Sequence, residues 1–134
     1  LLSKGIPENK IIFYGESLGT GVGVEMAINN ASAGLILESP FTSITELGKK
    51  KFPIFPISLI LKDKFDNESK FAMLSAPFLI MHGEKDRIVP QDMSFRLIQI
   101  KEPAITYFPE NDNHMMEFDK NLQFKITQFI QHLK

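Results

Sequence analysis

Four short, continuously apolar runs recur along the chain, each closed by a small residue or a proline. They are 10–14 (Lys-Ile-Ile-Phe-Tyr), ending at Gly15; 34–38 (Gly-Leu-Ile-Leu-Glu), stopped by Ser39-Pro40; 77–82 (Pro-Phe-Leu-Ile-Met-His), closed by Gly83; and 104–108 (Ala-Ile-Thr-Tyr-Phe), stopped by Pro109. Proline has no N–H to give to a sheet ladder, so it marks where a strand ends. Runs that are apolar throughout, with no alternation, are the pattern of strands buried on both faces of a parallel sheet. Such a sheet needs helices on both sides, and the segments between the runs can supply them.

Residues 22–28 (Val-Gly-Val-Glu-Met-Ala-Ile) follow the first run through a cluster of small residues, which reads as strand, sharp turn, helix. Pro90 stands at a plausible first-turn position of a second helix whose stripe is Met93, Leu97, Ile98 and Ile100. The last helix is the most regular: Phe118, Leu122, Lys125, Ile126, Phe129, Ile130 and Leu133 follow the 3.6 period, with Lys125 the one polar intruder. Residues 41–76, between the second and third runs, are too many for a plain connection. They read either as two or three short helices forming a small cap over one end of the sheet, or as a helix with ragged ends packed on the core. No internal repeat is present, so the pattern predicts an α/β domain of four βα units.

Composition narrows the function without choosing it. The chain has 134 residues, enough for one domain. A formal charge of −1 and the lack of a basic run argue against a nucleic-acid partner and give an anionic membrane little to attract. There is no cysteine, which excludes a disulfide scaffold, a thiol nucleophile and a thiolate metal site, and fits a cytoplasmic setting. The longest apolar stretch, 52–61, contains Pro53 and Pro56 and spans only half of the roughly 20 residues a bilayer crossing takes. With Lys62 and Lys64 beyond it, that stretch hints at a greasy substrate or a membrane surface, although a helix packed on the core explains it equally. The chain opens on Leu1 with no charged leader, and so reads as the middle of something longer.

The chemistry lies at the first turn. Gly15-Glu-Ser17-Leu-Gly19 matches the G-x-S-x-G nucleophile elbow, in which a serine on a tight strand-to-helix turn projects its hydroxyl above the sheet. Glycine at both flanks is expected because the turn brings helix and strand too close for a side chain. A competing pattern, Gly19-Thr-Gly21-Val-Gly23 followed by the acidic Glu38, suggests a dinucleotide fingerprint, but the spacing requires glycine where Val24 stands. Gly21 and Gly23 are then expected to let the helix lie close to the sheet.

Three segments, Phe-Tyr-Gly-Glu-Ser-Leu-Gly, Leu-Glu-Ser-Pro-Phe-Thr-Ser and Met-His-Gly-Glu-Lys-Asp-Arg-Ile-Val-Pro, together resemble the α/β-hydrolase superfamily. The chain is most similar to its small serine hydrolases, which include esterases, thioesterases and peptidase-like enzymes. The resemblance runs over essentially the whole chain, from the fifth strand of the superfamily pattern to its final helix, and implies a partial α/β-hydrolase fold, the C-terminal half of a domain. It places Ser17 as nucleophile, Asp86 as the acid after the third run and His114 as the histidine after the fourth, in the usual order. It implies an acyl-serine route for ester, thioester or amide substrates, small or lipid-like, with no metal and no cofactor. Leu18 would give one backbone oxyanion donor; the second comes in the family from a loop after the third strand, and nothing before Lys10 here can supply it. Glu38 is an alternative acid, since some branches place it there. Asn113 stands where relatives have a glycine before the histidine. His82 reads as a structural or rim residue, and His132 as solvent-facing. With the superfamily's first four strands absent, 10–14 becomes an edge strand, open to pairing with a second copy or a separately supplied N-terminal half. A non-catalytic remnant acting as an association module is the alternative from a different class.

Overall fold

All four apolar runs pair as parallel strands. In a computed structural model of the chain, which describes residues 1–51 and 65–134, they form one sheet in chain order: β1 (Ile12–Glu16), β2 (Gly34–Glu38), β3 (Phe78–Met81) and β4 (Ile105–Tyr107). The register sets Ile12 opposite Gly34, Leu35 opposite Phe78 and Leu79 opposite Ile105. β1 starts two residues later than the run 10–14 and continues through Gly15 and Glu16. Residues Glu8–Lys10 wind instead into a 3-10 turn, closed by Lys10 and Ile11 donating to the Pro7 and Glu8 carbonyls at 3.0 and 2.9 Å.

Among the described residues the α-helices are α1 (Gly19–Asn29), α2 (Ile44–Lys51), α3 (Asn67–Phe71), α4 (Asp92–Ile100) and α5 (Lys120–His132). Successive side chains of a strand face opposite sides, and here that alternation sorts the core into two layers. Leu35, Leu37, Phe78 and Ile80 pack with Val24 and Ala27 of α1, Phe71 of α3 and Leu97 of α4. Ile36, Leu79 and Met81 pack on the other face with Leu122 and Phe129 of α5 and with Met116. Both faces are covered, and β2 and β3 are buried along their whole length. Each such side chain contributes about 1.5–3 kcal/mol. β1 and β4 are only half-buried, as befits the two edges of the order.

Two of the predicted helical stripes are trimmed by their ends. In α4, Met93 and Leu97 are fully buried but Ile100 is exposed. In α5, Leu122 and Phe129 face the sheet, whereas Phe118 and Ile130 are exposed. Phe118 precedes the helix, whose start is set by the Asp119 carboxylate accepting from the Leu122 N–H at 2.8 Å. The described ends of the 41–76 insertion pack on the core and on α4. Phe71 meets Phe78 edge-on with ring centres 5.1 Å apart, and Arg96 of α4 bridges Glu46 of α2 and Glu68 of α3. The apolar stretch 52–61, with Lys62 and Lys64, lies outside the described residues, and with it the choice between cap and packed helix. Among the described residues no helix is long and apolar enough to cross a membrane.

Candidate active site

β1 ends at Glu16, and the chain reverses into α1 within two residues. Ser17 carries that turn with φ of 51°, a left-handed backbone conformation that costs a non-glycine residue about 1–3 kcal/mol and persists only where the surroundings impose it. The constraints are visible: the Ser17 N–H donates to the Glu38 carbonyl at 2.9 Å, and the Ser17 carbonyl accepts from the Thr20 hydroxyl at 2.6 Å and the Thr20 N–H at 3.0 Å. The two elbow glycines differ. A Cβ on Gly15 would sit 2.5 Å from the Gly19 carbonyl oxygen and 2.8 Å from the Thr20 Cα, whereas a Cβ on Gly19 would meet nothing within 4 Å. Only Gly15 is needed for close approach, so the expectation of a clash at Gly19 is corrected. A Cβ on Gly23 would face the sheet, 3.2 Å from Leu35 Cδ1, whereas one on Gly21 would meet Phe65 instead. Gly15→Ala is therefore expected to cost about 3 kcal/mol or more, because backbone and not a pliable side chain stands in the way. Gly19→Ala should be neutral or gain up to about 1 kcal/mol of helix propensity. Urea unfolding of the two variants checks the contrast.

The loops after β3 and β4 bring two more side chains to this end of the sheet. His114 Nε2 lies 2.8 Å from Ser17 Oγ, and His114 Nδ1 lies 2.7 Å from Asp86 Oδ2. The carboxylate can only accept from Nδ1, so Nδ1 carries the proton and Nε2 presents its lone pair to the serine hydroxyl. Asp86 Oδ1 accepts from the Ile88 and Val89 N–H groups at 2.7 and 2.9 Å, which ties the carboxylate to its own turn. Leu18 stands at the start of α1, where the helix leaves N–H groups without intrahelical acceptors. Glu38 is near but engaged elsewhere: its side chain accepts from the Tyr14 hydroxyl and from the Met116 N–H, and no hydrogen bond joins it to His114 among the described residues.

No family model matches the chain. It is 33% identical over 118 residues to lysophosphatidylserine lipase ABHD12 of Macaca fascicularis, covering 75% of this chain and 30% of that protein. It is 35% identical over 85 residues to alpha/beta hydrolase domain-containing protein 17B of Homo sapiens, covering 63% and 28%. Among solved structures, the esterase RhEst1 from Rhodococcus sp. ECU1013 superimposes with a TM-score of 0.74 at 18% identity, over 100% of this chain and 69% of that one. The chain belongs to the α/β-hydrolase superfamily. It spans about a third of the length of the curated relatives it matches.

Three further residues shape the site: His82, expected as a structural or rim residue, and Gly83 and Ser39, for which no role was expected from sequence. Gly83 lies under the His114 loop: a Cβ there would fall 2.5 Å from the Asn113 carbonyl oxygen. Room for the Asn113 backbone is made by this glycine. Ser39, the residue after β2, has φ of 49° and donates its hydroxyl to the His114 carbonyl at 3.1 Å. His82, the residue after β3, is fully buried, with Nδ1 2.7 Å from the Ser94 hydroxyl and Nε2 3.0 Å from the Val89 carbonyl. A glycine beside a backbone crossing and a polar residue before proline are visible signals, but their partners are not.

Burial also sets charge states. It opposes ionisation of Asp86, but the hydrogen bonds from His114 and from the Val89 and Ile88 amides outweigh it and hold the carboxyl below its usual range. Burial pushes His82 below the usual histidine range, against the opposing pull of the Val89 carbonyl and Asp86. In Glu38 burial dominates and raises the carboxyl, with Tyr14 pulling the other way. The His82 shift makes a prediction. Unfolding frees its imidazole to bind a proton near the ordinary value of about 6.5, while the folded chain keeps it neutral to lower pH. Its contribution is complete above that value and is lost as pH falls from there toward the folded value. The urea midpoint should drop between about pH 7.5 and pH 5.5, and His82→Gln should flatten this step. An unchanged midpoint in the parent would count against the neutral buried histidine.

Proposed function

We propose that this chain is the C-terminal part of a serine hydrolase in which Ser17 is the nucleophile, His114 the general base and acid, and Asp86 the orienting carboxylate. The observation that carries the reading is the unbroken hydrogen-bonded line from Ser17 Oγ through His114 to Asp86, at 2.8 and 2.7 Å. In this reading His114 Nε2 takes the hydroxyl proton as Ser17 Oγ bonds to the substrate carbonyl carbon. Asp86 steadies the imidazolium, and the Leu18 N–H faces the oxygen that gains charge. His114 then returns the proton to the departing alcohol, thiol or amine, leaving an acyl-serine. Water, deprotonated by the same imidazole, attacks that acyl group; the acyl–Oγ bond breaks, His114 returns the proton to Ser17 Oγ, and the acid product leaves.

The substrate is an ester, thioester or amide with an apolar acyl group. Each of the three residues is followed closely by an exposed apolar side chain: Leu18 is 56% exposed, Ile88 50% and Met115 69%. An acyl chain can cover these, and the names of the relatives, a lipase of a lysophospholipid and an esterase, lie in the same substrate range. The outer edge of β1, beside the half-exposed Tyr14, is where a further strand would pair, from a second copy or from a separately supplied N-terminal segment. The test is treatment with a fluorophosphonate probe followed by peptide mass spectrometry. One adduct on Ser17 is expected. An unmodified chain, or an adduct spread over other hydroxyls, would overturn the reading.

A further inference from the structure

The serine-hydrolase reading leaves one buried titratable group unused. His82 is fully buried one residue beyond β3, and the reaction as written asks nothing of it. Yet its Nε2 lies 3.1 Å from Asp86 Oδ2, the same oxygen that receives His114 Nδ1. We propose that His82 is a positioning residue: a neutral imidazole that donates from Nε2 to Asp86, with its Nδ1 accepting from Ser94, and that aims the carboxylate at His114.

The tautomer follows from the neighbours. Nε2 faces two oxygens that can only accept, the Val89 carbonyl at 3.0 Å and the Asp86 carboxylate at 3.1 Å. It must therefore carry the proton, and Nδ1 must accept, which the Ser94 hydroxyl at 2.7 Å satisfies by donating. The opposite tautomer would set a lone pair against two oxygens in a dry site, at the full cost of an unsatisfied buried acceptor.

With His82 included, Asp86 has four donors. Oδ1 takes the Ile88 and Val89 N–H groups, and Oδ2 takes His114 and His82. A carboxylate offers about four lone-pair sites, so the set leaves it one orientation. Two of those donors, Ile88 and Val89, belong to the same turn as Asp86 and move with it. His82 does not. It extends β3, where its own N–H donates to the Tyr107 carbonyl at 3.0 Å, and Ser94 sits on α4. The histidine thus ties the Asp86 turn to the sheet on one side and to a helix on the other.

This inference rests on the proposed triad, and its test separates the two. The second-order rate of fluorophosphonate labelling of Ser17 is compared in the parent, His82→Leu, His82→Gln and Ser94→Ala, each with its melting temperature. His82→Leu is expected to label about tenfold more slowly, a small share of the ~10⁴-fold attached to the acid. His82→Gln, whose amide N–H reaches where Nε2 stood, is expected to stay within about threefold of the parent, and Ser94→Ala to slow labelling about threefold. Parent-like labelling by His82→Leu with only a lower melting temperature would overturn the proposal, because the residue would then be structural. If His82→Leu does not fold, Ser94→Ala decides: slower labelling at unchanged melting supports the role, and parent-like labelling overturns it. The far-downfield proton resonance of the His114 to Asp86 hydrogen bond is recorded alongside. If the parent shows that resonance but does not label, the hydrolase reading fails while the positioning role stands or falls separately. The resonance kept in His82→Gln and lost in His82→Leu supports it, and kept in both overturns it. A parent showing neither resonance nor labelling overturns both.

Discussion

Hydrolysis of a p-nitrophenyl acyl ester is expected to fall by about 10⁶-fold in His114→Ala, and combining that change with Ser17→Ala should remove almost nothing more. The reason is that the two side chains perform one act. In the proposed mechanism Ser17 Oγ attacks only as its proton leaves, and the receiving atom is His114 Nε2, 2.8 Å away. Once either partner is gone, the other has no step to assist, so the losses do not add. Folding is a separate matter and should barely change. His114 lies in a loop at the rim of the sheet, and Ser39 holds its backbone carbonyl, which alanine retains. The comparison needs turnover and melting temperature for the two single variants and the double one. Losses that multiply in the double variant would mean that the two residues act in different steps, and the triad reading would not stand.

The second large effect concerns the acid. Asp86→Asn should lower turnover by about 10⁴-fold while leaving the fold in place. Asparagine keeps the shape of the side chain and can still accept through its carbonyl, but an amide N–H turned toward His114 Nδ1 favours the tautomer with the proton on Nε2. The imidazole then offers the serine a hydrogen where it should offer a lone pair. Glu38→Gln is the matching control. Its carboxylate is already engaged by the Tyr14 hydroxyl and the Met116 N–H, and burial holds its proton more tightly than usual. Turnover should therefore change less than about tenfold, within the range of an indirect contact near a site. The reverse ranking, with Glu38→Gln the more damaging, would move the orienting role to the end of β2.

Much of the fold was legible because a buried parallel sheet leaves a crude signal. The runs around Ile12, Leu35, Leu79 and Ile105 are apolar on both faces, and each became a strand of the sheet. Their ends were read less well. β1 moved two residues along because hydrogen bonds within Glu8–Lys10 took Lys10 out of the ladder, a local competition that apolar content does not report. Phe118 and Ile130 continue a helical stripe on paper, yet a stripe has no sharp edge, and the Asp119 cap excluded Phe118. The approach of Ser17, Asp86 and His114 was expected from strand order, since loops after parallel strands gather at one end. What could not be read were contacts made between loops: His82 reaching Asp86, Ser39 holding the His114 carbonyl, and the crossing over Gly83. Each depends on how far apart two backbones settle, and pattern along a chain carries no distance.

The sheet neighbours its strands in the order in which they are made, and this has a kinetic consequence. Each new βα unit can dock on the one before it without waiting for a distant partner, so assembly can proceed in the direction of synthesis. Ser17 follows the first strand, Asp86 the third and His114 the fourth. On the proposed triad, the nucleophile is therefore in place before the group that arms it, and a chain caught midway would carry an inert hydroxyl. Acquisition of reactivity would then mark the seating of β4, serving as a clock for the pairing of this sheet.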